Sequence, residues 1–159
     1  MAKAGLRATV EWQGLNELVR SLKDPKLIAG PLADTIERAS EIAVREAQQL
    51  APRDTGALAR SITAQVQPRR ARVYSPLFYG RWAEKGRRPG MNAPPPQRLA
   101  GWARRHGFPR AALFLLAQAI GRRGSKGRFF MAQATTATAG ALPNLLQRMA
   151  REIERRWGR

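Results

Sequence analysis

The chain has 159 residues, no cysteine, a single histidine and a formal charge of +18, from 29 lysines and arginines against 11 acidic residues. That length suits one domain, residues 1–159, able to bury roughly two-thirds of its unfolded surface without staples, and the composition excludes a disulfide framework, a thiol nucleophile and any cysteine or paired-histidine metal site. The longest apolar run, residues 111–117, falls short of the ~20 residues of a membrane-spanning helix, and the first residues lack a signal-like apolar stretch, so a soluble, non-secreted chain is expected.

In chain order, residues 6–12 suggest a strand and residues 15–22 a short amphipathic turn that Asp24-Pro25 would end, since proline disfavours helix in the residue before it. Residues 31–50 carry the clearest signal. Leu32, Ile36, Ala39, Ala43, Ala47 and Leu50 form one stripe of a 3.6-residue helix. Pro31 stands where a first-turn proline is tolerated, Ala51-Pro52 stops the helix, and Asp34–Arg38 and Glu41–Arg45 are spaced to pair on its outer face. Asp54 or Thr55 is placed to cap a short helical turn. Ile62, Ala64 and Val66 then alternate with polar residues, a turn follows at residues 68–71, and residues 72–75 begin a return strand, predicting a hairpin.

Residues 76–97 contain five prolines and three glycines, which predicts a long loop with an extended tip. A short helix is expected over 99–105, a further helix over 110–120, and a flexible basic loop over 121–128. A last long helix carries Leu142, Leu145, Leu146, Met149, Ile153 and Trp157 as its stripe, with a kink or restart near Gly140 and Pro143. These elements make an α+β fold, two long helices packed on a small antiparallel sheet with an extended loop.

The cations are concentrated. Residues 1–68 hold nine basic and eight acidic side chains, residues 69–128 hold fifteen basic against Glu84 alone, and residues 129–159 hold five against two. A surface of that kind favours polyanions.

Individual motifs are weaker. Asp54-Thr55-Gly56 spells an aspartic-protease string, but that chemistry needs two carboxylates sharing a proton and a core strand before the aspartate, whereas here a helix end precedes it. The segment 121–128 lacks the spacing of a phosphate-wrapping loop. It suits a mobile basic loop touching a nucleic-acid backbone, or a solvated hairpin tip. His106 is expected at the surface near a helix end, and nothing marks a nucleophile elbow. Tyr79, Trp82, Trp102 and Phe108, set among arginines, suit core or subunit contacts better than base stacking. No cofactor or metal is expected.

The order of the pieces says more. A helix ending at Pro52, then Asp54-Thr55-Gly56-x-Leu58-x-x-Ser61-Ile62, a hairpin, and Tyr79-x-x-x-x-Glu84-x-Gly86, followed by residues 116–134 with Phe129, resembles the tailed-bacteriophage neck proteins. These are the tail-completion or head–tail joining proteins, similar to the minor tail protein Z group of lambda-like phages. The chain departs from them at Arg87, where threonine is common, at Arg128, where proline commonly precedes the phenylalanine, and at residues 94–109, which look like an insertion.

The resemblance implies a non-enzymatic virion protein whose copies form a ring, usually of six, between the head connector and the tail. Its neighbours would be head-completion, tail-tube or tail-terminator proteins, and DNA would pass through the ring without sequence readout. Six copies would carry about +108. The candidates to face DNA or a partner are Arg69, Arg70, Arg72, Arg87, Arg88, Arg122, Arg123, Lys126 and Arg128. A non-specific nucleic-acid-binding protein acting outside a virion is the alternative.

Overall fold

The computed structural model describes residues 6–10 and 25–157, with side chains described from Leu27 to Arg156. The expected turn over residues 15–22 and the last two residues of the expected first strand lie outside them. The architecture is α+β. A three-stranded antiparallel sheet in the order β1-β3-β2 is built from β1 (Leu6–Val10), β2 (Thr63–Gln67) and β3 (Arg70–Ser75). In register, Leu6 lies opposite Ser75 and Thr63 opposite Tyr74, so β3 is the central strand. The sheet packs on α1 (Pro25–Leu50), and α1 packs along α6 (Phe130–Trp157).

Helix α1 begins six residues before the sequence stripe suggests, and the first-turn proline is Pro25, not Pro31. Pro31 sits inside the helix, where its missing N–H leaves the carbonyl one turn back without its usual donor. Leu27 and Ile28 extend the apolar stripe into that first segment, and Ile28 is fully buried. Burying a side chain of that size is worth about 1.5–3 kcal/mol, comparable to the cost of an interior proline. The buried face of α1 otherwise follows the stripe, through Leu32, Ile36, Ala39, Ala43 and Ala47, whereas Leu50 is exposed. On the outer face neither Asp34–Arg38 nor Glu41–Arg45 closes into an ion pair. Among the described residues such pairs join Asp54 to Arg105 and Glu152 to Arg155 and Arg156.

The two long helices run antiparallel. One apolar cluster joins the start of α1 to the late turns of α6 through Ile28, Leu32, Ile36, Ala71 and Met149. A second joins the end of α1 to the early turns of α6 through Ala43, Ala47, Phe130, Met131 and Ala134, with Leu58, Ile62 and Val73. Helix α6 is one element through Gly140 and Pro143, with no restart. Its buried stripe begins earlier than the leucines suggest, at Phe130, Ala134 and Thr138. The Thr138 hydroxyl donates to the Ala134 carbonyl at 2.8 Å, which satisfies it in the core. Leu145 and Met149 continue the stripe, while Leu146 is exposed.

The hairpin forms as expected, but its turn is the two residues Pro68-Arg69, because Arg70 already pairs with Gln67. On β3 the residues Ala71, Val73 and Ser75 face the core and alternate with Arg70, Arg72 and Tyr74. Strand β2 is an edge, and Val66 is exposed.

Residues 76–97 are not one long loop. They contain α3 (Gly80–Lys85) and β4 (Gly86–Arg87), and then α4 (Pro96–Arg105) starts three residues before the expected helix. The last of the three prolines takes the first helical position, where proline is pre-organised for a helix. A 3₁₀ turn (Arg110–Ala112) leads into α5 (Leu113–Arg123), which absorbs the start of the supposed basic loop. The rest of that loop contains β5 (Ser125–Lys126), paired antiparallel with β4.

Candidate nucleic-acid interface

The nine cations singled out in the sequence fall in two places. Arg69, Arg70 and Arg72 lie on the hairpin, with Arg69 in the turn and Arg70 and Arg72 on the side of β3 away from the core. Arg70 donates to the Gln67 side chain across the turn. Arg87, Arg88, Arg122, Arg123, Lys126 and Arg128 gather around the β4–β5 pair and the end of α5. All but Arg87 are exposed in this second group. Arg122 reaches Gln118 one turn back at 2.9 Å. Arg87 is turned inward, its guanidinium 4.3 Å from the centre of the Trp82 ring and bonded to the Asn92 carbonyl. Arg81 lies 4.1 Å from the same ring. Trp82 is therefore engaged by two cations of its own chain, and Arg87 is a structural residue more than a free cation.

The β4–β5 corner is closely packed because its glycines permit backbones to touch. Gly86 has φ 74° and Gly124 φ 71°, both with extended ψ, a region nearly reserved for glycine. Gly127 adds a third close approach, since a Cβ there would meet the Glu84 carbonyl oxygen at 2.3 Å. The Arg128 and Phe129 amides donate to the carbonyls of Ala83 and Glu84 at 2.9 and 3.0 Å. Phe129 itself holds φ 51° and is half exposed.

Glu84, the one acid of the basic third, does not lie on the surface to offset the arginines. It is buried at 5% exposure, and its carboxylate accepts from the amides of Met131 at 2.9 Å and Ala132 at 3.2 Å. Those are unpaired donors of the first turn of α6, so a side chain 47 residues away caps the helix and meets the positive end of its dipole. Among the described residues none of the corner's cations is ion-paired, because the one acid of this third is taken up as the helix cap.

The remaining motif residues make contacts within the fold. Leu58 and Ile62 are in the core, with Tyr79 packed against them. Burial, with the Asp54 charge, raises the Tyr79 phenol above its ordinary pKa. The Ser61 and Ser75 hydroxyls meet at 2.7 Å and tie α2 (Ala57–Ser61) to β3. Neither Asp54 nor Thr55 is the cap of α2. Gly56 is, at φ 74°, while the Thr55 hydroxyl accepts from the Ala57 amide at 3.3 Å. Pro52 follows Ala51 at the end of α1.

Asp54 takes both Nε (2.9 Å) and Nη2 of Arg105 on its two oxygens. That side-chain hydrogen bond, more than the plain charge attraction, holds the Asp54 carboxyl below its ordinary value. A carboxylate committed to a guanidinium is not half of a proton-sharing pair. The lowered pKa sets the sign of its pH dependence. The stabilisation is present above the unfolded value, about 3.9, and is lost as pH falls through the lower folded value. Asp54→Asn should therefore be slightly less stable than wild type in urea at pH 7, the gap shrinking with salt and closing in strong acid. A gap that persists in acid would exclude the ion pair as its origin.

His106 is at the surface, as expected, with Nδ1 2.9 Å from the Trp102 carbonyl. Its ring stacks on Trp102 at 4.2 Å, and Phe108 stacks on the same indole at 5.7 Å. Among the described residues no group of three or more acidic or histidine side chains could hold a metal ion. A void of about 10 Å³ among Ile36, Ala39, Ala43, Val73 and Thr138 holds at most one water. No described helix is long and apolar enough to cross a membrane.

Sequence reasoning missed two contributors. Glu84 as a cap leaves no local signature, because donor and acceptor are 47 residues apart. Arg105 as the partner of Asp54 is likewise visible only once α4 folds back.

The family model described as "Bacteriophage HK97-gp10, putative tail-component" matches residues 17–86, a little under half of the chain. The matched span includes Asp54-Thr55-Gly56, Tyr79, Glu84 and Gly86. No curated protein and no solved structure matches the chain. Over its first half, then, the chain is similar to a family of bacteriophage tail components, which supports a phage tail or neck family and a structural role in the virion.

Proposed function

We propose that the protein is a structural, non-enzymatic subunit of the phage neck. Its copies close into a ring, most simply of six, that joins the head connector to the tail and lets DNA pass, in the manner of tail-completion proteins of the lambda Z kind. The observation that carries this reading is the similarity of residues 17–86 to a phage tail-component family. The segregated charge supports it, because an exposed cationic corner whose acid is buried as a helix cap suits a surface facing phosphate. The same charge also favours the second reading, a nucleic-acid-binding protein acting outside a virion.

Arg122 and Arg123 test the DNA contact. Wild type should bind duplex DNA without sequence preference and weaken steeply as salt rises. The double variant Arg122→Gln/Arg123→Gln should lower the slope of log K against log salt by about 2 with unchanged helicity. An unchanged slope removes both residues from the DNA-facing surface. Binding by a lone monomer or dimer at full affinity would favour the second reading.

A further inference from the structure

Helices α4 and α5 are under-packed for a folded domain. Of the ten residues of α4 only Ala103 is buried, and α5 buries Ala117 and Gly121. The pair leaves Trp102 37%, Phe108 43%, Phe114 60% and Leu115 68% exposed. Amphipathic helices whose apolar side chains find no cover among the described residues mark an interaction surface. Trp102 stacks with both His106 and Phe108, so less side-chain freedom remains to lose on docking. Arginines 98, 104 and 110 are exposed on the same segment, and no acidic residue occurs between Glu84 and Glu152.

The complementary surface is on the same molecule. Asp34, Glu37 and Glu41 follow one another along the exposed face of α1, and the arginines spaced to neutralise them leave them open. We propose that the α4–α5 pair of one subunit docks on the outer face of α1 in a second copy, with Arg104 and Arg110 meeting Glu37 and Glu41 around the apolar centre. The two patches differ, so the contact is head-to-tail and repeats from copy to copy until it closes. Nucleic acid is a poorer occupant, since Phe114 and Leu115 offer nothing to phosphate. This inference rests on the ring reading above and assigns its interface.

Charge reversal tests it. Arg104→Glu/Arg110→Glu and Glu37→Arg/Glu41→Arg change exposed side chains and should each keep wild-type helicity. Each alone should need at least ~10-fold more protein for half-assembly, read by native mass, and an equal mixture of the two should assemble like wild type because opposite signs meet again. Reversed variants that assemble normally would overturn this interface and leave the ring intact. Monomeric variants that their mixture does not rescue would overturn it as well. A wild-type chain monomeric at every concentration, alone and with head-connector or tail proteins added, would overturn ring and interface together, and reversal that abolishes DNA binding but not assembly would reassign the surface to nucleic acid.

Discussion

Glu84→Ala should melt about 5–12 °C below wild type. The substitution leaves the Met131 and Ala132 amides without their acceptor at a site where Glu84 is only 5% exposed. An unsatisfied buried donor costs about 1–3 kcal/mol, and the lost cap and dipole interaction bring the sum to roughly 2–4 kcal/mol, which for a chain of this size gives that shift. Glu84→Gln should fall between the two, because one oxygen remains to accept while the amide N–H₂ confronts a second donor. The effect should reach past the cap. Phe130 and Met131, the first buried residues of α6, belong to the cluster that holds the end of α1. A melting temperature within 1–2 °C of wild type, the range of an ordinary surface change, would show that the carboxylate does not hold the helix.

The second large effect is expected at Gly86. An alanine Cβ there would lie 2.2 Å from the Ser125 carbonyl oxygen and 2.6 Å from the Gly127 amide nitrogen. Both neighbours are backbone, so relief requires parting β4 from β5, and the backbone at φ 74° and ψ −170° is itself hostile to a side chain. Gly86→Ala should cost about 3 kcal/mol or more in urea unfolding. Gly90 provides the control. It has φ 79° but nothing within 4 Å of its would-be Cβ, so Gly90→Ala should cost only about 1–2 kcal/mol. Equal losses at the two sites would mean that the conformation alone matters and the close approach does not.

The long helices and the hairpin were legible because their signals are local and periodic. Leu32, Ile36, Ala39, Ala43 and Ala47 recur at helical spacing and are all buried, whereas the alternation of Ile62, Ala64 and Val66 marked a strand but not its burial, since Val66 lies exposed on the edge and Ala71, Val73 and Ser75 of β3 face the core instead. What escaped is what depends on distant partners. Pro31 resembled a helix start because nothing nearby reveals that Ile28 is buried against α6. Gly86, Gly124 and Gly127 resembled loop residues, since glycine permits a flexible chain and a tight backbone contact alike, and only the fold shows the second. The early turns of α6 were hidden by their threonines, because Thr138 is polar in sequence yet buries its methyl group once its hydroxyl bonds to the preceding turn. The candidate site was legible as a concentration of charge. Its division between the hairpin and the β4–β5 corner was not, nor was the inward turn of Arg87 onto Trp82.

The ring is the claim on which the functional account stands. Its most direct measurement is the native mass of the purified chain at moderate salt, with negative-stain images of the same sample. The account predicts closed rings with a central opening, most simply six subunits of 17.7 kDa. A uniform monomer that stays monomeric as concentration rises and as head-connector or tail proteins are added would contradict it.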